Sequence, residues 1–141
     1  MDDKTFLLEI VTPERKIYSD KVDFAVFPGS EGELGILFDH APLLSRLSPG
    51  EIRITKNKIV QSLAISGGFL EVRKNEVSVI SETAETADQI DRPRALAEKE
   101  SAEAQIKKSE AFSPEFKAAD LRLKKAEARL KVVDKGVIAP K

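Results

Sequence analysis

The 141-residue sequence has no cysteine and no tryptophan, and one each of histidine, tyrosine and methionine. Without cysteine there is no disulfide framework, no thiolate nucleophile and no cysteine-ligated zinc. A single imidazole cannot build a histidine cluster around a metal. No apolar run approaches the roughly 18–20 residues that a bilayer-crossing helix needs. The opening Met1-Asp2-Asp3-Lys4 offers no basic stretch followed by an apolar one, so neither a signal peptide nor a transit peptide is expected there. Neither sign of charge is in excess. The 23 Lys and Arg stand against 24 Asp and Glu, a formal net charge of −1, which argues against a protein built to grip nucleic-acid phosphates. What is present, 41% hydrophobic and 33% charged residues, describes a globular protein with a charge-rich surface. Its length suits one ordinary domain or two small ones.

The even total hides an asymmetry. Residues 1–87 hold 10 Lys and Arg against 14 Asp and Glu, whereas residues 88–141 hold 13 against 10. Six of the seven glycines precede residue 70, while alanines crowd the second part. Gly-punctuated β-branched sequence followed by Ala/Lys/Glu sequence predicts a β domain over 1–87 and a helical one over 88–141, with the boundary near Thr86-Ala87-Asp88. Short apolar runs recur in the first part: Phe6 to Val11, Val22 to Phe27, Leu34 to Phe38, Ile52 to Ile54, Ile59 to Ile65, Phe69 to Val72 and Val77 to Ile80. Such spacing predicts a sandwich or barrel. Turns are expected at Pro28-Gly29, Pro49-Gly50, Lys56-Asn57 and Lys74-Asn75, and a bulge or close backbone approach at Gly67-Gly68. In the second part Ser113-Pro114 ends one helix and starts another, as N-cap and first helical residue. Phe116, Ala119, Leu123, Ala126, Leu130 and Val133 then form a seam at alternating steps of three and four. A first helix from about Asp91 to Glu110 carries a thinner face of Ala95, Ala102 and Ile106. Two such helices predict an antiparallel hairpin with little core of its own, which must dock on the β domain or on a partner.

Few residues offer chemistry. His40 has only Asp39 beside it, too little for a general base or a metal site. Glu31 and Glu33 lie in Gly29-Ser30-Glu31-Gly32-Glu33-Leu34-Gly35, an exposed turn where nothing raises a carboxyl pKa as acid catalysis requires, so a binding loop is expected. Its acidic groups also exclude a phosphate cradle, and Ser66-Gly67-Gly68 lacks the surroundings of a nucleophile elbow. The basic run Arg122, Lys124, Lys125, Arg129 and Lys131 is either a solvated helix face or a docking surface for an acidic partner.

Several longer stretches carry a family likeness. Val11-Thr12-Pro13-Glu14-Arg15, Pro28 through Leu37, His40-Ala41-Pro42-Leu43-Leu44, Ser66 through Val72, Thr83-Ala84-Glu85 and Ile90 through Ala95 resemble the epsilon subunit of the bacterial F-type ATP synthase. The resemblance implies an N-terminal β-sandwich and a C-terminal antiparallel α-helical hairpin. It further implies a non-catalytic subunit of the central rotor that couples c-ring rotation to the catalytic head. The sandwich is expected to contact the gamma subunit and the c-ring, with Glu31, Glu33 and His40 as contact residues. The hairpin is expected to extend beside gamma toward the alpha/beta head and restrain ATP hydrolysis. Such a subunit is peripheral to the cytoplasmic face of the bacterial plasma membrane, binds no nucleic acid and requires no cofactor. Where the family usually has Pro-Gly before the histidine, Phe38-Asp39 stand here, and Asp tolerates the left-handed backbone that the turn needs.

The pattern Ile90, Asp91, Arg94 and Ala95 also resembles a nucleotide-binding motif of some epsilon subunits, which implies ATP as a regulatory ligand. Glu85, Lys125 and Arg129 match supporting positions, while Ser101 stands where an arginine is usual. Against this, Asp91 can be read as simply favouring the helix N-terminus through its charge, with Arg94 packing across the hairpin. Two other functions compete: a free-standing ligand-binding sandwich with a dimerising hairpin, and a hydrolase centred on His40.

Overall fold

The computed structural model describes residues 4–135 and the backbone of residues 137 and 138; the far end of the expected hairpin domain, at 141, lies outside the described residues. In chain order the elements are β1 (Phe6–Val11), β2 (Lys16–Val22), β3 (Phe24–Gly29), β4 (Gly32–Ile36), β5 (Leu43–Lys56), β6 (Ile59–Arg73), β7 (Glu76–Ile80), β8 (Ala84–Thr86), one 3-10 turn (Ala87–Gln89), α1 (Arg92–Lys108), α2 (Pro114–Lys135) and β9 (Val137–Ile138).

The strands hydrogen-bond in the order β2-β1-β7-β6-β5-β3-β4, with β8 and β9 also on β6. The spine is the β5–β6 pair, joined in register from Leu43↔Val72 to Lys56↔Ile59. On its other edge β6 meets β7 through 69–73, β8 through 63–65 and β9 through 60–61. These two long strands run through both layers of the sandwich, and the apolar faces close over Phe6, Leu8, Ile10, Phe27, Ile52, Leu63, Leu70 and Val79, all essentially inaccessible. Alternation produces this: in β1, Phe6, Leu8 and Ile10 point inward while Leu7, Glu9 and Val11 lie outward.

Several strand expectations are corrected. Ile59 to Ile65 and Phe69 to Val72 belong to one strand, because Gly67 and Gly68 carry the extended chain through φ values of 108° and 136°. A Cβ on Gly68 would lie 2.0 Å from the Ile80 carbonyl oxygen, which is the expected close approach. Pro49-Gly50 is not a turn but the middle of β5, opposite Ser66 and Ile65. Gly50 is small there because a Cβ would meet that of Pro28 at 2.7 Å. Pro28-Gly29 closes β3, and the turn itself is Ser30-Glu31. The first lysine-containing hairpin turn is Asn57-Lys58, one residue beyond the expected pair, while Lys74-Asn75 turns as read; all four residues have positive φ, as two-residue hairpins of this hand require. β2, β8 and β9 were not expected. β2 is an edge strand whose Lys16, Ser19, Asp20 and Lys21 hide its periodicity and protect the edge.

The helices follow their caps. The Asp91 carboxylate accepts from the Arg94 backbone N–H at 3.1 Å, and Pro93 lies in the first turn of α1. The Ser113 hydroxyl oxygen accepts from the Phe116 N–H at 3.1 Å, with Pro114 as first residue of α2. The helices face each other through Ala95, Ala102, Ala119 and Ala126, all buried, so their axes approach closely. Leu123 and Leu130 of the expected seam are only half-buried. The seam is accompanied by a second buried stripe on α2, Ala128 and Val132, which packs with Ala64 of β6 and Ile90 into a small joint between hairpin and sandwich. The hairpin is therefore closed against the sandwich.

The main core draws only on residues 6–84, none of them helical. A chain ending at residue 87 is therefore expected to fold on its own. A cooperative thermal transition with a strand-type circular dichroism spectrum checks this, and a chain lacking both refutes it.

Candidate functional site

Two regions contain the residues singled out from sequence. The first is the loop set of the sandwich. Glu31 sits exposed in the two-residue turn between β3 and β4. Glu33, expected in the same acidic loop, belongs to β4, and its carboxylate is gripped by both terminal nitrogens of Arg53 at 2.9 and 3.2 Å. The Arg53 hydrogen bond holds the Glu33 carboxyl below its ordinary range. His40 lies in the connection from β4 to β5, where its Nδ1 is 2.7 Å from the Ala41 carbonyl oxygen. Glu31 and His40 thus enter different loops at the two ends of β4. Asp39 adopts the left-handed backbone, with φ 58°, and its N–H donates to Asn75 Oδ1 at 2.8 Å. Asn75 Nδ2 donates to the Thr5 carbonyl at 2.7 Å, which ties this loop to the β6–β7 turn and the start of β1.

An apolar face went unnoticed in the sequence. Leu44, Phe69 and Ile80 are 74%, 50% and 58% exposed. Phe69 lies opposite both Arg46 and Ile80, and Leu44 opposite Glu71, so the three share the outer face of β5, β6 and β7. The Arg46 guanidinium covers the Phe69 ring at 5.6 Å. Within apolar strands an outward Leu or Phe reads the same as an inward one, which is why no pattern flagged them.

The second region is the closed joint. Glu85 on β8, Gln89, Asp91, Arg94, Ala95 and Glu98 at the start of the hairpin, and Arg129 on α2 surround an open cleft of about 410 Å³, within the range of small-molecule sites. Lys125 lines a narrow crevice beside it, with Glu85, Arg129, Ser66 and Thr83. Of the seven residues named from the motif, Glu85, Asp91, Arg94, Ala95 and Arg129 share the cleft and Lys125 adjoins it. Ile90 instead is buried in the apolar joint. Gln89 and Glu98 were missed, since nothing in a polar helix start marks which side faces a cavity. The Arg129 Nε donates to Glu85 Oε1 at 2.6 Å. Among the described residues the side chains of Arg94 and Lys125 make no ion pair, and both cations are available. Arg122 of α2 donates to the Ser101 hydroxyl at 3.0 Å and to Glu98 at 3.4 Å, so a guanidinium reaches the Ser101 position from the other helix.

Apart from Lys125, the basic run on α2 meets acidic groups within the chain, with Arg122 at 3.4 Å from Glu98 and Lys124 at 3.1 Å from Asp120. Arg129 meets Glu85, and Lys131 and Lys135 lie 3.7 and 3.1 Å from the carboxylate of Glu51, a residue of β5 whose side chain is 2% exposed. Burial, the largest influence, pushes the Glu51 carboxyl up, but hydrogen bonds from Ser62 and Lys135 with the charges of Lys135 and Lys131 outweigh it and hold it below its ordinary range. Among the described residues no group of His, Asp and Glu is arranged to hold a metal ion.

A profile described as the ATP synthase delta/epsilon chain beta-sandwich domain matches residues 5–87, and one described as the long alpha-helix domain of that chain matches residues 88–134. This defines a two-part delta/epsilon class of ATP synthase subunit. The ATP synthase epsilon chain of Desulforamulus reducens is 43% identical over 131 residues, 93% of this chain and 98% of that one. That of Syntrophomonas wolfei is 46% identical over 138 residues, 96% of this chain and 98% of that one. The chain belongs to the ATP synthase epsilon chain family. A chain in the cryo-EM structure of the Euglena gracilis mitochondrial ATP synthase shares the fold, with a TM-score of 0.77 at 21% identity over 93% of this chain and 81% of that one.

Glu9, Asp20, Glu33 and Glu51 all have carboxyls held below their ordinary ranges. A lowered folded-state pKa contributes stability that is present above the unfolded value, near pH 4, and is lost as pH falls through the lowered value. The melting temperature is expected to be flat from about pH 5 to 8 and to fall below about pH 4. Scanning calorimetry across that range checks it; a midpoint that rises on acidification refutes it.

Proposed function

We propose that this chain is the regulatory rotor subunit of a proton-translocating F-type ATP synthase, in which the sandwich binds the gamma subunit and the c-ring and the hairpin restrains ATP hydrolysis. The observation that carries the reading is family membership across both parts of a two-part molecule whose helical part is closed on a separately cored sandwich. The exposed face of Leu44, Phe69 and Ile80 suits a folded protein partner, since contiguous apolar surface of this kind marks an interface; gamma is the partner assigned to it. The Glu31 turn and the His40 loop supply polar contacts for the c-ring loops. No helix of the described residues is long and apolar enough to cross a membrane; membership of the complex is what supports a peripheral place at the cytoplasmic face of a bacterial plasma membrane. In membranes whose epsilon chain ends at residue 87, ATP synthesis is expected to persist and hydrolysis to run at least as fast as with the full chain. Slower hydrolysis with the truncated chain in place contradicts the restraining role.

The cleft supports a second element, a nucleotide switch. Arg94, Arg129 and Lys125 suit the phosphates of ATP, and the carboxylates of Glu85 and Asp91 suit hydroxyl or amino donors of the nucleoside. Because Arg129 and Lys125 come from α2 and the others from β8 and the start of α1, the set exists only in the closed hairpin. ATP then favours the closed form by its differential affinity and opposes the inhibitory one. Calorimetric titration of the isolated chain tests this. Arg94→Ala is expected to weaken ATP binding about tenfold or more, and a wild-type chain that yields no heat at millimolar ATP reduces the motif to helix-start chemistry.

A further inference from the structure

We propose that Glu51 is the catch of the closed hairpin: a buried carboxylate on β5 that receives the ammonium groups of Lys131 and Lys135 only when α2 lies on the sandwich, and so biases the hairpin toward the closed form independently of nucleotide. This rests on the hairpin being able to open, and not on ATP binding.

The partners of Glu51 divide into two sets. Ser62 Oγ donates to Oε2 at 2.6 Å and Arg53 Nη1 lies 3.6 Å from Oε1; both belong to β5 and β6 and stay with Glu51 whatever the helices do. Lys135 Nζ is 3.1 Å from each carboxylate oxygen and Lys131 Nζ is 3.7 Å from Oε1; both leave if α2 leaves. Arg53 is already committed to Glu33 through two hydrogen bonds, so the sandwich alone sets two carboxylates against one guanidinium. Closure adds two positive charges to that excess of one negative, at a carboxylate that is 2% exposed in the closed form. A buried carboxylate tolerates removal from water only with close cationic partners.

The catch is separate from the cleft. Successive helical residues turn by roughly 100°, which sets Arg129 on one side of the buried Ala128 and Val132 stripe and Lys131 and Lys135 on the other. One flank of α2 thus faces Glu85 and the cleft, and the other faces Glu51. The chain just beyond Lys135 reinforces the second flank, because β9 pairs with Val60 and Gln61 of β6, next to Ser62. A hairpin held partly by this catch needs less from a ligand to remain closed, so the catch sets how far nucleotide can move the equilibrium.

Hydrogen exchange on the full-length chain, without nucleotide, tests the catch. In the wild type the amides of residues 128–135 are expected to be protected. In Glu51→Gln they exchange about tenfold faster, while amides of β1 keep their protection. Lys131→Gln with Lys135→Gln acts in the same direction, and adding Glu51→Gln to that pair accelerates exchange little further, since both changes remove the same contacts. Unchanged protection of α2 in Glu51→Gln, or fully additive effects, overturns the proposal. If Glu51→Gln loosens β1 as well, the double variant of Lys131→Gln with Lys135→Gln, which alters only the helix, decides. Faster α2 exchange over an intact β1 supports the catch, and unchanged exchange removes it. A chain that fails to bind ATP leaves this result standing, and failure of the catch leaves the nucleotide titration unaffected.

Discussion

Opposite charge on the two parts of the chain is the constraint from which the closed form follows. The sandwich segment carries an excess of acidic residues and the helical segment an excess of basic ones, and the excesses meet along one helix. Arg129 reaches Glu85 on β8, and Lys131 and Lys135 reach Glu51 on β5. Between these flanks lies only a small apolar joint of Ala64, Ile90, Ala128 and Val132. Alanine seams allow close approach and bury little area, so packing alone contributes little to closure. Charge-assisted contacts at the joint therefore add to the β9–β6 pairing in holding the helices, and such contacts respond to ligands and partners that bring charge of their own.

This division of labour suits a subunit that must be rigid in one part and movable in another. The sandwich is built on two long strands paired over their whole length, with a core to which no helix contributes. The hairpin can depart without opening that core. It is attached through the one-turn 3-10 helix at 87–89 and the Asp91 cap, a short connection in which a few dihedrals can absorb a large reorientation. A cleft assembled from β8, α1 and α2 reports directly on closure, because removing α2 removes Arg129 and Lys125 together.

Much of this was legible in the sequence, for physical reasons. The core strands β1 and β7 alternate cleanly, the caps Asp91 and Ser113 precede proline-containing first turns, and Ala95, Ala102, Ala119 and Ala126 keep helical spacing. Among the motif residues, Glu85, Asp91 and Arg94 are close in the chain but Arg129 is distant, and the convergence of all four was readable only through family likeness. What could not be read depended on tertiary context. β2 carries the charges of an edge. Pro49-Gly50 has turn composition, yet it accommodates Pro28 from the neighbouring strand. Glu51 follows that Pro-Gly pair, and nothing local marks it as a buried carboxylate that lysines of α2 reach. Leu44, Phe69 and Ile80 belong to strands whose other face is also apolar, so nothing local distinguishes the residues that stay exposed.

The central claim is that the hairpin closed on the sandwich is one state of a switch whose other state lacks the cleft. The absence of cysteine makes a direct measurement simple. Spin labels at Glu76→Cys on the sandwich and Lys117→Cys on α2 report the distance between the parts in the assembled synthase. With saturating ATP the account predicts a single population at the closed distance, and after ATP removal a second, longer one. One unchanged distance under both conditions would contradict it.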